Sequence, residues 1–285
     1  MNNKVMVVIL NYNSTEDTKK CLKFILQQKY SDLEIVIVDN NSAKEEYHCL
    51  ETYISNLDKS QYNIKIIRNE NNTGFSAGNN IGLRYAEKRN AEWSLVINPD
   101  VELRDELYIS KMMEFIGEDE SIAVAASNIL LPNGKRQNPM VEPSYMEELF
   151  WPIESIIRKC KGENSYLAKN EEGYCYKLSG CCFFIKQKFL KKIGYLDEQV
   201  FLYCEEPILA SVVKKHKFNE AYNPKITAYH MHFDKNKGNQ VTRIKQFRKS
   251  RRYFWKKYSG YKGIKLRLLL ISDKIYCLLK CRGEN

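Results

Sequence analysis

No CxxC pair occurs among the nine cysteines of this 285-residue chain, an odd and widely scattered set, so zinc-site spacing is missing. Several sit in apolar runs, where cysteine behaves as a small hydrophobe, and a reducing compartment is the economical expectation. No uncharged apolar stretch reaches the roughly 18 residues that a spanning helix needs. The apolar run in MNNKVMVVILNYN is too short for a signal h-region and has no small-residue cleavage site, so it is expected to be the first strand of the fold. Neither GxGxxG nor GxxxxGK[ST] is present, which removes the dinucleotide fingerprint and the P-loop. From Lys235 to Ser272 there is not one Asp or Glu. The formal charge of +10 therefore belongs almost wholly to a C-terminal tail on a nearly neutral body.

What is present suits one large α/β unit, or one with an appendage: 44% of the residues are hydrophobic. Val5 to Leu10, Leu33 to Val38, Ile64 to Ile67 and Trp93 to Ile97 read as buried strands. Helical spacing separates them over Thr15 to Gln28, Lys44 to Leu57 and Ser76 to Arg89, which indicates βαβ units and a mainly parallel sheet. Further on, Asp105 to Ile116 and Glu205 to Lys215 read as helices. Ile122 to Leu131, Tyr174 to Ile185 and Ile226 to Tyr229 read as strands. Lys135 to Asn170 is irregular.

Carboxylates fall where such folds gather chemistry. Asp39 ends the second strand and Asp100 follows the fourth, in Asn98-Pro99-Asp100, so both are expected to open on one rim of the sheet. Asp39 suits the N–H of a pyrimidine base or, equally simply, an Asx turn. Asp100 suits a divalent cation or a turn. The loop Asn71 to Gly82 is small and amide-rich; it can host phosphate or ribose hydroxyls, or merely let a helix pack tightly. Glu205 and Glu206 precede Pro207, either as a favourable helix start or as a general base. His230 and His232 share a strand face, so both can reach one metal, or stand as polar rim residues.

Six motifs in this order resemble the family 2 inverting glycosyltransferases with the GT-A fold, in particular the bacterial branch that builds rhamnose-containing and other surface polysaccharides. They are VVILNYN (Val7 to Asn13), IVIVDNNS (Ile35 to Ser42), NTGFSAGNNIG (Asn72 to Gly82), VINPDV (Val96 to Val101), SGCCFFIK (Ser179 to Lys186) and GYLDEQVFLYCEE (Gly194 to Glu206). The resemblance covers roughly residues 4 to 235. It implies a hexosyltransferase-type enzyme taking a UDP- or dTDP-sugar, with Asp39 on the base and Asn11, Tyr12 and Asn13 lining the nucleotide pocket. It implies Asn79 and Asn80 near ribose or sugar, Mg²⁺ or Mn²⁺ on Asp100 with His230 or His232, and Glu206 or Glu205 as base. Asn98 stands where the family's DxD has its first aspartate, and Glu206 where the branch usually has aspartate. The mechanism implied is a single in-line displacement.

The boundaries expected are a catalytic domain over 1–235, with a nucleotide half to about 102 and an acceptor half from about 103, and a tail over 236–285. Val241, Ile244, Phe247, Phe254 and Tyr258 form one helical stripe, and Ile264, Leu268, Ile271, Ile275 and Leu278 a second. Basic amphipathic helices of this kind suit an anionic membrane surface, through residues 241–285. Packing on the catalytic domain or on a second copy, as a homodimer, is the alternative. The expectation is a cytoplasmic protein, peripheral on the inner face of the cell membrane, with a lipid-linked saccharide as acceptor and no nucleic-acid partner. Competing readings are a non-catalytic partner subunit and a nucleotidyltransferase.

Overall fold

β1 (Val5–Asn11) and β2 (Leu33–Asp39) are buried along nearly their whole length, as continuous Val/Ile/Leu runs are when helices cover both faces of a sheet. They pair in parallel from Val5 opposite Leu33 to Asn11 opposite Asp39. β3 (Asn63–Arg68) and β4 (Trp93–Ile97) extend this parallel half on its two sides. The crossovers are α1 (Thr15–Ile25), α2 (Lys44–Ser55) and α3 (Phe75–Lys88). α1 buries Thr18, Cys21, Leu22 and Ile25, the stripe its spacing predicts. This is a computed structural model, and it describes residues 4–57, 63–151, 153, 166–231 and 240–280.

The second half contains β5 (Val101–Glu102), α4 (Tyr108–Ile116), β6 (Ile122–Leu130), β7 (Gly173–Cys175) and β8 (Cys182–Lys186). α5 (Gln187–Ile193), α6 (Glu205–Lys215) and β9 (Asn219–His230) complete it. The strand order is β3-β2-β1-β4-β8-β6-β9-β5, with β7 on β9. β8 runs antiparallel between β4 and β6, and β9 is parallel to β6. Two reversals thus restore direction, so the C-terminal ends of β1, β2, β4 and β9 lie on one rim, together with the loop that enters β8. The GT-A fold is this mixed sheet with flanking helices.

Three expectations change. Tyr174 to Ile185 is two strands, not one. The link between them is held out of the sheet because side chains take its backbone donors: Leu178 N–H donates to Glu220 Oε2 (2.9 Å), Ser179 N–H to Asn138 Oδ1 (2.7 Å) and Gly180 N–H to Glu206 Oε1 (3.4 Å). The last strand begins at Asn219 rather than Ile226; a register shift at Ser127/Asn128 passes over Pro224, whose ring the ladder cannot use. α4 starts at Tyr108 rather than Asp105, because Asp105 closes a turn onto Leu107 N–H (2.9 Å).

The tail forms α7 (Gln240–Lys257) and α8 (Gly263–Lys280). α7 packs inward: Phe254 and fully buried Trp255 meet Val200, Ile208 and Leu269. Asp197 accepts Tyr253 Oη (2.7 Å), Lys257 Nζ (2.9 Å) and the Tyr258 hydroxyl, which fixes the end of α7 to the body. α8 leaves Ile264, Leu268, Ile271 and Ile275 exposed, at 67, 40, 52 and 52%. Leu278 lies where no side chain is described. No helix among the described residues is long and apolar enough to cross a membrane.

Candidate active site

Asp39 is fully buried where β2 leaves the sheet. Asn11, its parallel neighbour on β1, donates from Nδ2 to Asp39 Oδ2 (2.8 Å), and Ser42 N–H donates to Oδ1 (3.1 Å). Each carboxylate oxygen keeps a second lone pair. Asn11 accepts Thr18 Oγ1 (2.9 Å) on its own Oδ1 and reaches Ser42 Oγ from Nδ2 (3.2 Å). Its polar atoms thus orient Asp39 and its neighbours. Tyr12 stands half-exposed beyond it, and Asn13 ties the rim together, its N–H on Ser42 Oγ (2.9 Å) and its Oδ1 under Ala43 N–H (2.8 Å).

The amide-rich loop is mostly satisfied from within. Asn40 donates to Asn72 Oδ1 (3.0 Å) and Gly74 O (3.1 Å) and accepts Asn69 Nδ2 (3.0 Å). Gly74 has φ of 87°, and a Cβ there would lie 2.2 Å from Phe201 O, so glycine is required for the segment before Glu205 to lie against α3. Asn80 donates to Leu196 O (2.9 Å) and Glu198 Oε1 (2.7 Å) and accepts Leu196 N–H (3.1 Å). It is a strut to the 196–198 turn. Asn79 donates to Phe75 O (3.0 Å) and leaves Oδ1 without a partner among the described residues.

Asp100 and His230 meet across the rim, His230 Nε2 3.2 Å from Asp100 Oδ2. Pairing of Val101 with His230 and the Met231 N–H bond to Asp100 O (2.7 Å) bring them there. His230 Nδ1 lies 2.7 Å from Gln137 Oε1; an amide oxygen only accepts, so Nδ1 carries a proton, and in the charged ring Nε2 carries the second towards the carboxylate. Burial pushes the imidazolium pKa down, but contacts with Asp100 and Cys181 outweigh it and lift the group to about 10. Asp17, at the start of α1, is held up by burial and then by the charge of Asp100. No cluster of three or more metal-ligating side chains occurs among the described residues. One carboxylate and one imidazole nevertheless fit a Mg²⁺ or Mn²⁺ ion, which would have to displace the Nε2 proton that Asp100 favours. His232 lies outside the described residues. Asn98 anchors the turn instead through its backbone, its N–H on Cys181 O (2.8 Å).

Glu205 and Glu206 open α6 after two successive left-handed residues, Tyr203 (φ 73°) and Cys204 (φ 68°). Non-glycine residues adopt that geometry only where the surroundings impose it, typically at functional sites. The adjacent carboxylates face different surroundings. Burial, and then the charge of Glu206, raises the Glu205 pKa to about 8, so Glu205 is mostly protonated at neutral pH. Glu206 lines both a cavity of about 30 Å³, shared with Glu205 and Glu220, and a larger pocket beneath α7. Glu220 has no signal in the sequence, being one acid on a strand; burial keeps it neutral, and it holds Leu178 N–H. Gln137 escaped notice for a similar reason, lying in the irregular segment.

Residues 6–194 match the family model described as Glycosyl transferase family 2. Among known proteins the chain is 31% identical over 202 residues to the low-salt glycan biosynthesis hexosyltransferase Agl10 of Haloferax volcanii, covering 70% of this chain and 58% of that one. It is 27% identical over 121 residues to the teichoic acid poly(glycerol phosphate) polymerase of Staphylococcus epidermidis, covering 42% and 16%. The chain therefore spans only 58% and 16% of the length of these two relatives. Among solved structures, the mannosyltransferase PcManGT of Pyrobaculum calidifontis, in complex with GDP-Man and Mn²⁺, superposes with a TM-score of 0.63 at 12% identity, over 100% of this chain and 77% of that one. S. aureus TarS 1-349 in complex with UDP-GlcNAc gives 0.62 at 17% identity, over 99% and 74%.

Proposed function

Because this chain belongs to glycosyl transferase family 2, we propose that it moves a sugar from a UDP- or dTDP-sugar to a hydroxyl of a growing, lipid-linked bacterial surface polysaccharide, with inversion. The observation that carries this reading is the convergence of Asp39, the Asp100–His230 pair and Glu206 on one rim of the sheet, each from a different element.

Asp39, oriented by Asn11 and Ser42, accepts the base N–H. Asp100 and His230 would hold a divalent cation, whose charge would offset that of a departing diphosphate. Glu206 takes the proton of the acceptor hydroxyl as it attacks the anomeric carbon. Assigning the base to Glu206 rather than Glu205 is supported by its place, with Oε1 by the Gly180 N–H and its side chain lining the pocket beneath α7. The exposed apolar row of α8, flanked by Lys265, Arg267 and Lys274, supports attachment to the cytoplasmic face of an anionic membrane, where a lipid-linked acceptor is found.

A nucleotide-sugar panel read by Mn²⁺-dependent release of nucleoside diphosphate tests this. Release from one donor, abolished in Asp100→Ala and in Glu206→Gln, is the expected result. Near-native turnover in either variant removes that residue from its role. Silence across the panel would favour a non-catalytic partner subunit.

A further inference from the structure

The larger pocket next to Glu206, about 290 Å³, lies between the body and α7, with Trp151, Tyr176 and Lys177 from the stretch that matches the family model and Phe247, Arg251 and Phe254 from beyond it. Trp151, Tyr176, Phe247 and Phe254 give it aromatic walls, and Arg251 and Lys177 supply cations. Arg251 is only 7% exposed. Its guanidinium carbon sits 4.3 Å from the Trp151 ring centre and 4.5 Å from that of Trp255. One arm is occupied: Nη2 donates to Glu148 Oε2 (3.0 Å) and Glu148 O (3.3 Å). Glu148 also accepts Trp255 Nε1 (2.7 Å), so its charge is shared. Arg251 Nη1 and Trp151 Nε1 are buried and have no acceptor among the described residues.

Two buried donors with no acceptor call for a ligand oxygen, since leaving either unmet costs about 1–3 kcal/mol. Aromatic faces suit the apolar face of a pyranose ring. Arg251 shares Glu148 with Trp255 and keeps one arm unmet, and Lys177 adds a second cation to the lining, which favours an oxygen that carries negative charge. We infer that this pocket is an acceptor subsite for a saccharide bearing an oxyanion, a carboxylate or a phosphoryl group, held by Arg251 Nη1 and Trp151 Nε1 with its nucleophilic hydroxyl towards Glu206. The inference rests on the transferase reading above. It makes α7 a wall of the substrate cleft and gives the chain a preference for acidic acceptors.

Calorimetric titration of the full chain, saturated with UDP and Mn²⁺ so that the donor pocket is filled, separates the possibilities. The probes are glucose 1-phosphate, glucuronate, methyl glucoside and inorganic phosphate. One of the two acidic sugars should bind at least ten times more tightly than methyl glucoside and than phosphate alone; which one does so tells a phosphoryl from a carboxylate. Trp151→Phe, which keeps the ring and removes only the N–H, and Arg251→Lys, which keeps the charge, should each weaken that binding about tenfold and leave UDP affinity unchanged. Equal binding of neutral and acidic sugars, phosphate binding as well as either sugar, or indifference to both variants overturns the subsite. Binding of UDP with none of the sugars also overturns it while the donor reading stands. Failure of both UDP and dTDP to bind strikes the transferase reading instead.

Discussion

His230 presents Nε2 to Asp100 Oδ2 at 3.2 Å because Gln137 occupies its other nitrogen. Removing Gln137 releases the ring without touching either candidate ligand. Gln137→Leu should lower the apparent Mn²⁺ affinity by roughly tenfold or more, the usual scale for a residue that orients a ligand. A metal titration of diphosphate release reads this, and melting temperature checks that the fold is intact.

The Glu205–Glu206 pair predicts an inverted pH dependence of stability. The Glu205 pKa is about 8 in the folded chain against a usual value near 4.5. The native state therefore holds a proton that the unfolded chain releases. Its contribution is fully present below about pH 4.5 and is lost as pH rises through about 8. Glu205→Gln should melt higher than wild type at pH 9 and lose that advantage near pH 4.5. An unchanged difference across this range refutes the buried neutral acid.

Asp39→Asn keeps the volume at the end of β2 and replaces one acceptor oxygen with a donor. UDP affinity should fall about tenfold, equivalent to about 1.4 kcal/mol, as measured by calorimetry. The Asn11 contact is lost as well, so a parallel melt distinguishes weaker binding from a looser rim.

On α8, paired replacement of Ile271 and Ile275 by Asp should abolish sedimentation with vesicles rich in anionic lipid and leave the melting temperature within about 2 °C, since both side chains are half exposed. Retained binding would assign the row to another partner.

Asp273, the first acid after the long acid-free run, is fully buried and accepts Arg248 through both oxygens (3.0 and 2.9 Å) and Arg252 through Oδ2. Asp273→Ala should cost about 3–5 kcal/mol, the scale for breaking a buried ion pair. At the entropy of a domain this size, a fall in melting temperature of roughly 10 °C follows.

Much of this was legible in the chain because hydrophobic period and chain order reflect the same physics that builds the sheet. Val5 to Leu10, Leu33 to Val38 and Trp93 to Ile97 could only be buried strands, and the helices between them forced parallel pairing. Where side chains compete for backbone donors, the pattern misleads. Leu178, Ser179 and Gly180 look like strand, yet Glu220, Asn138 and Glu206, distant in sequence, take their N–H groups. The site divided in the same way. The places of Asp39, Asp100 and Glu206 at element ends were readable, whereas the bonds that Asn11 and Asn80 make to neighbouring protein groups were not. The separation of Glu205 from Glu206 depends on burial, which two adjacent identical letters do not reveal.

Through Asp273 the two tail helices move as one piece, and through Asp197 that piece is bolted to the body. Whatever surface receives the outer row of α8 therefore sets the angle at which the cleft is presented to it. If that row is the proposed anchor, the tail is a gauge as well: tied to the pocket under α7, its footplate would fix how far above that surface an acceptor hydroxyl must stand to meet Glu206.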